Sequence, residues 1–106
     1  LLVSSSRTAL IIEHEHPAEP DLAQALARLA PGCADLVLVE GFKHVPFPKI
    51  EFHRPALGKP MLYPQDPSIV AIATDAPLSE RPAIPVLDLN DVAGVGEFVA
   101  GHLGLV

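Results

Sequence analysis

The spacing of apolar residues along the chain predicts an α/β fold. Apolar runs bounded by polar or turn residues predict five strands, at 1–5, 8–14, 35–40, 69–73 and 84–87. Leucines or valines that recur at helical spacing predict two helices, at about 21–30 and 91–103. Strands that alternate with helices in this order are typical of βαβ units.

The three later strands predict a parallel sheet. The runs at 35–40, 69–73 and 84–87 are apolar at successive positions, a pattern typical of strands covered on both faces in parallel sheets. We therefore expect them to be neighbours, with Val37 and Ile72 buried and the two helices covering the sheet. A two-residue connection makes the first two strands antiparallel, so the predicted sheet is mostly parallel but mixed.

Residues 42–67 differ from the rest of the chain. They hold four of the seven basic residues, and six of the twelve prolines fall between Pro46 and Pro67. Residues 49–54 alternate as a short strand with Ile50 and Phe52 on one face. Because long irregular segments in small domains usually serve function or partner contacts, we expect a homodimer in which this strand pairs with, or packs on, the other subunit.

Composition narrows the classes of partner. Seven Lys and Arg against thirteen Asp and Glu give a formal net charge of −6, which argues against nucleic acid or an anionic membrane as a partner. The single cysteine, Cys33, fits a reducing compartment, so we expect a cytoplasmic protein. The chain opens without Met in an apolar run, Leu1-Leu2-Val3, and we expect residues upstream of it.

The most suggestive local chemistry is Glu40-Gly41, placed where the strand at 35–40 would end. Nucleotide-binding proteins hold the water shell of Mg²⁺ with a carboxylate at such a position. The alternative is that Glu40 only pairs with Lys43 or ends the strand. A second spacing, His14-x-His16, offers two metal ligands without an identifiable third.

Several blocks, taken together and in order, resemble the molybdopterin-guanine dinucleotide biosynthesis protein B (MobB) family. They are DLVLVEGFKH at 35–44, PKIE at 48–51 with Arg54, IVAIATD at 69–75 and VLDLND at 86–91. The segment LVSSSRTAL at 2–10 also resembles this family. The resemblance implies a P-loop NTPase-like fold and a homodimeric, GTP-binding accessory protein of molybdenum-cofactor synthesis. Such a protein assists the guanylyltransferase that joins GMP to molybdopterin, uses GTP and Mg²⁺, and has weak GTPase activity.

One departure from the family is large, because no G-x-x-x-x-G-K-[ST] motif occurs in the 106 residues. In the family this loop lies near the N-terminus, ahead of the point where this sequence begins. We therefore interpret residues 1–106 as the C-terminal two-thirds of a single P-loop GTPase-like domain, with 42–67 as a dimerisation or partner segment. We expect the chain alone to be inactive and to bind GTP weakly.

The resemblance also assigns roles by position. Glu40 and Gly41 match the acidic motif near the γ-phosphate, so Glu40 is the catalytic candidate and would contact metal through water only. Thr74 and Asp75 end a strand where related GTPases read the base, and a carboxylate can accept from guanine N1 and N2. The alternative for Asp75 is strand-end capping.

Three basic residues could contact phosphate or the anionic pterin, with solvated surface charge as the alternative; they are Lys43, Lys49 and Arg54. A different class of function also remains open. The chain could be a non-catalytic, dimerising interaction module that docks the partner transferase without binding nucleotide. A Gly-rich loop upstream would favour nucleotide binding, and an authentic start near Leu1 would favour the module.

Overall fold

The computed structural model describes residues 2–3, 8–9 and 21–105. These residues fall into two compact units, Leu1–Val45 and Pro46–Val106. Each unit is a separate body in the description that follows. Within the described residues, no helix is long and apolar enough to cross a membrane.

The first unit contains a short strand pair and one helix. Strands β1 (Leu2–Val3) and β2 (Thr8–Ala9) are antiparallel, with Val3 opposite Thr8. This confirms the predicted antiparallel pairing; residues 1, 4–5 and 10–14 of the two predicted strands lie outside the described residues. Helix α1 (Leu22–Ala27) begins after Asp21, whose side chain accepts hydrogen bonds from the backbone N–H groups of Ala23 and Gln24. Such a cap satisfies N–H groups that have no partner inside the helix.

The prediction of a buried strand at 35–40 is wrong. These residues form no regular secondary structure, and Val37 and Leu38 are 47% and 76% exposed. An apolar run records a tendency to be buried, but a strand also needs a neighbour that pairs with its backbone. Among the described residues, no strand pairs with this run.

The second unit contains a three-stranded parallel sheet. Its strands are β3 (Lys49–His53), β4 (Ile69–Thr74) and β5 (Val86–Asp88), in that spatial order. The predicted parallel pairing of the two later strands is confirmed. The predicted strand at 49–54 is also confirmed. One of its edges pairs with β4 of its own chain, so it lies beside β4 where residues 35–40 were expected. The homodimer stays a prediction.

The core of the second unit lies along the central strand. Ile69, Ala71, Ile72 and Ala73 of β4 are at most 3% exposed, as expected for a strand flanked by neighbours on both edges. Helix α2 (Val92–His102) follows β5 and begins after Asp91. Val92, at the first helical position, is 81% exposed.

Candidate functional site at the carboxyl edge of the parallel sheet

Polar side chains form a row where the three parallel strands end. His53 lies opposite Thr74, and Thr74 lies opposite Asp88. Residues in register on neighbouring parallel strands project to the same face of the sheet. Because ligands of open α/β sheets bind beyond the carboxyl ends of the strands, this edge is the candidate site of the second unit.

The residues that follow β3 and β4 form an ion pair. Arg54 donates from Nη1 to Oδ2 of Asp75 across 2.8 Å, and the two side chains are 54% and 24% exposed. The sequence suggests a phosphate or pterin contact for Arg54 and a base contact for Asp75, with surface charge and strand-end capping as the alternatives. The structure brings these two predicted site residues together at one corner of the sheet.

Thr74 fixes the backbone that carries Asp75. Its hydroxyl donates to the carbonyl of Ala76 across 2.9 Å, and the N–H of Ala76 approaches the same oxygen at 3.4 Å. Thr74 is 8% exposed. These contacts favour a role for Thr74 in shaping the turn, while the carboxylate of Asp75 remains partly open to solvent.

The carboxylates after β5 are engaged by backbone groups. Asp88 accepts from the N–H of Asn90 at 2.8 Å, and Asp91 caps α2 by accepting from the N–H of Gly94 at 3.0 Å. A Cβ at position 94 would come too close to the Asp91 carboxylate, so a side chain there would require that carboxylate to shift. A cleft of about 230 Å³ lies beside them, lined by Val86, Leu87, Asp88, Asp91, Gly94 and Val95.

Lys49 holds the chain that returns to β4. Its ammonium lies 2.8 Å from Oδ2 of Asp66 and 2.8 Å from Oγ of Ser68, and its side chain is 12% exposed. The hydrogen bond from Lys49, followed by those from Ser68, lowers the pKa of Asp66 from 3.8 to about 2. With its ammonium engaged in this way, Lys49 is better explained as a structural residue than as a phosphate contact.

The Asp66 network predicts a loss of stability in acid. Because the pKa of Asp66 is lowered on folding, the network stabilises the fold above pH 3.8 and its contribution disappears as the pH falls towards about 2. We expect the melting temperature of Asp66→Asn to fall less than that of the wild type between pH 4 and 2. Differential scanning calorimetry measures this. Glu97→Gln, which removes a carboxyl from the exposed face of α2, is the control, and an unchanged pH slope in Asp66→Asn would contradict the prediction.

Glu51 holds a second part of the same segment. Its two carboxylate oxygens accept from the N–H groups of Leu62 at 2.6 Å and Tyr63 at 2.9 Å. The Tyr63 hydroxyl in turn accepts from the N–H of Ala83 at 3.1 Å. Lys49 and Glu51 therefore fasten the proline-rich segment to the sheet. The alternation of the strand predicts that they share a face, but their partners are set by the tertiary fold.

The residues assigned to the γ-phosphate and metal lie in the first unit. Glu40 and Lys43 are exposed, and Gly41 adopts φ +80°, a conformation that glycine allows. Phe42 also has a positive φ, and its carbonyl accepts from the N–H of Val45 at 3.0 Å, which closes a turn. The described residues contain no group of three or more side chains able to hold a metal ion. Contact of Glu40 with Mg²⁺ through water stays a prediction, and His14 and His16 lie outside the described residues.

The fold and the position of the site define the class of protein. A parallel sheet, a helix after its last strand and polar residues at its carboxyl edge make this an α/β protein of P-loop NTPase-like fold. Residues 1–75 match the family model for molybdopterin guanine dinucleotide synthesis protein B, and the chain belongs to that family.

Two curated relatives carry the same name, molybdopterin-guanine dinucleotide biosynthesis adapter protein. The protein from Escherichia coli (strain K12) is 38% identical over 100 residues, which cover 93% of this chain and 56% of the relative. The protein from Haemophilus influenzae (strain ATCC 51907 / DSM 11121 / KW20 / Rd) is 37% identical over 105 residues, which cover 97% and 55%. The chain therefore spans about half the length of the curated relatives it matches.

Proposed function

We propose that this chain is the base-recognition part of a GTP-binding adapter in molybdopterin-guanine dinucleotide biosynthesis, which assists the guanylyltransferase in the cytoplasm. The names of the two relatives support a role in that pathway. The observation that carries the nucleotide-binding part is the Asp75 carboxylate, held by Arg54 at the carboxyl edge of the parallel sheet. Molybdopterin is a second candidate ligand, because its phosphate is anionic and Lys43 is exposed.

Guanine is the base that a carboxylate at this position favours. Guanine presents two adjacent donors, N1–H and the N2 amino group, and a carboxylate offers two adjacent acceptors. Adenine has an acceptor at N1 and no amino group at C2, so it cannot make this pair of hydrogen bonds. The partly exposed Asp75 side chain leaves its carboxylate accessible to a base from the solvent side.

Competition binding tests the proposal in the full-length protein that carries this chain. With Mg²⁺ present, GTP should bind at least about tenfold more tightly than ATP, since two charge-assisted hydrogen bonds contribute about 1.5–3 kcal/mol each. Equal affinity for the two nucleotides would contradict base recognition by Asp75. The same preparation mixed with the guanylyltransferase, molybdopterin and GTP tests whether dinucleotide formation is stimulated.

The second candidate function is a dimerising module that docks the transferase without binding nucleotide. Exposed apolar side chains in the second unit favour it: Phe52 on β3 and Leu57 in the following loop are each 64% exposed. Light scattering should then show a dimer at micromolar concentration. Binding of the transferase with the same affinity in the absence and in the presence of GTP would favour this module over the nucleotide-binding adapter.

Glu40 provides a separate test of hydrolysis. In the full-length protein we expect Glu40→Gln to lower the GTP hydrolysis rate by at least about tenfold while GTP affinity changes less than about threefold, because a general base or water-orienting carboxylate acts on the reaction more than on binding. Bound Mg²⁺ would supply the charge that offsets repulsion between phosphate and this carboxylate. Single-turnover hydrolysis and equilibrium titration measure the two effects, with Glu97→Gln on the exposed face of α2 as the charge control. A parallel loss of binding and hydrolysis would remove Glu40 from the catalytic role.

A further inference from the structure

The Arg54–Asp75 pair joins two residues for which the sequence suggested separate ligands. Arg54 follows β3 and Asp75 follows β4, and the register of these strands places their ends side by side. The hydrogen bond between Nη1 and Oδ2 is 2.8 Å long, within the range of charge-assisted bonds. Because the pair joins residues 21 positions apart, it is a tertiary contact set by the sheet rather than a local one.

The Asp75 carboxylate retains room for a ligand after it accepts from Arg54. A carboxylate has two oxygens and about four lone-pair sites, and Arg54 occupies one of them. Two donors from a base can therefore be accepted while the arginine stays in place. Without a partner, a carboxylate that is 24% exposed would sample several rotamers and would lose that freedom when a base binds.

We propose that Arg54 is a positioning residue for base recognition: its guanidinium holds the Asp75 carboxylate in the orientation that accepts from N1 and N2 of guanine. This rests on the proposed function. It gives Arg54 a role different from direct contact with phosphate. A side chain that is oriented before binding raises the affinity only for a ligand that contacts it. Arg54 therefore affects the ratio of the affinities for GTP and ATP.

The test separates base choice from general affinity. In the full-length protein, Arg54→Gln should lower the affinity for GTP about fivefold and leave the affinity for ATP unchanged, the effect expected when one side chain must be ordered on binding. Fluorescence competition against a labelled GTP measures both nucleotides in one format. If Arg54 contacted phosphate instead, both affinities would fall together and the GTP/ATP ratio would stay constant, which would overturn the proposal.

Three further variants make the result specific. Arg54→Lys keeps a donor for Asp75 and should restore part of the GTP/ATP ratio. In an Asp75→Ala background, which leaves no side-chain acceptor for Arg54 to hold, Arg54→Gln should change the ratio no further. Lys59→Gln removes an exposed cation from the loop after Leu57 and should leave both affinities unchanged. A further loss of ratio in the double variant would overturn the proposal.

The outcome also distinguishes this inference from the proposed function. A wild-type protein with no preference for GTP over ATP would overturn both. A wild-type preference that Arg54→Gln leaves intact would overturn the positioning role alone. The variant is expected to fold, because exposed ion pairs contribute little to stability, and its circular dichroism melting curve should overlay that of the wild type within a few degrees.

Discussion

The 106-residue chain on its own is expected to bind GTP at least about a hundredfold more weakly than a version extended at its amino end by a P-loop segment. A P-loop surrounds the β-phosphate with backbone N–H groups and places a lysine on the γ-phosphate. Losing only two charge-assisted hydrogen bonds of this kind, at about 1.5–3 kcal/mol each, produces a change of that size. Glu40 cannot replace these donors, because a carboxylate only accepts.

Calorimetric titration of GTP with Mg²⁺ into both versions measures the difference. The extended version carries a G-x-x-x-x-G-K-[ST] loop ahead of residue 1, the motif that the 106 residues lack. The control is the extended version with the loop lysine replaced by alanine, which should return to the weak affinity of the short chain. Tight GTP binding by the short chain would show that its own residues hold the phosphates.

The parallel sheet was predictable where an apolar run has partners on both sides. Residues 69–73 form β4 because β3 and β5 pair with its two edges, and Ile72 is fully buried as expected. The run at 35–40 has the same composition pattern and forms no strand. The composition of a segment indicates how much apolar surface the fold must bury. Pairing depends on which other segments the chain brings alongside.

The candidate site shows the same division between local and tertiary information. Asp75 was predicted to follow a strand, and it does, because the polar residues that end an apolar run are visible in sequence. The partner of Arg54 was not predictable, since the contact spans 21 residues and depends on the register of β3 against β4. Lys49 finds Asp66 across 17 residues for the same reason. His53 and Asp88 join the row of strand ends only once that register is known.

The second large effect is expected from Asp75→Asn, which should change the base preference of the full-length protein from guanine towards xanthine. Asparagine offers one acceptor and one donor where aspartate offers two acceptors. Its amide oxygen can still accept from Arg54, which leaves the amino group facing the C2 position of the base. That amino group opposes the N2 donor of guanine, so GTP affinity should fall about tenfold to a hundredfold, while ATP affinity stays constant.

Xanthosine triphosphate provides the positive arm of this experiment, because xanthine keeps the N1–H donor and carries a carbonyl acceptor at C2. It therefore matches asparagine and opposes the two acceptors of aspartate, and Asp75→Asn should bind it at least about tenfold more tightly than the wild type does. Competition titration with GTP, ATP and xanthosine triphosphate measures all three affinities. Glu80→Gln, a charge-matched change later in the same loop, should leave the order of the three nucleotides as in the wild type. A gain in affinity for xanthosine triphosphate requires contact between residue 75 and the C2 substituent of the base. If Asp75→Asn keeps the wild-type order of affinity for the three nucleotides, the base does not bind at residue 75.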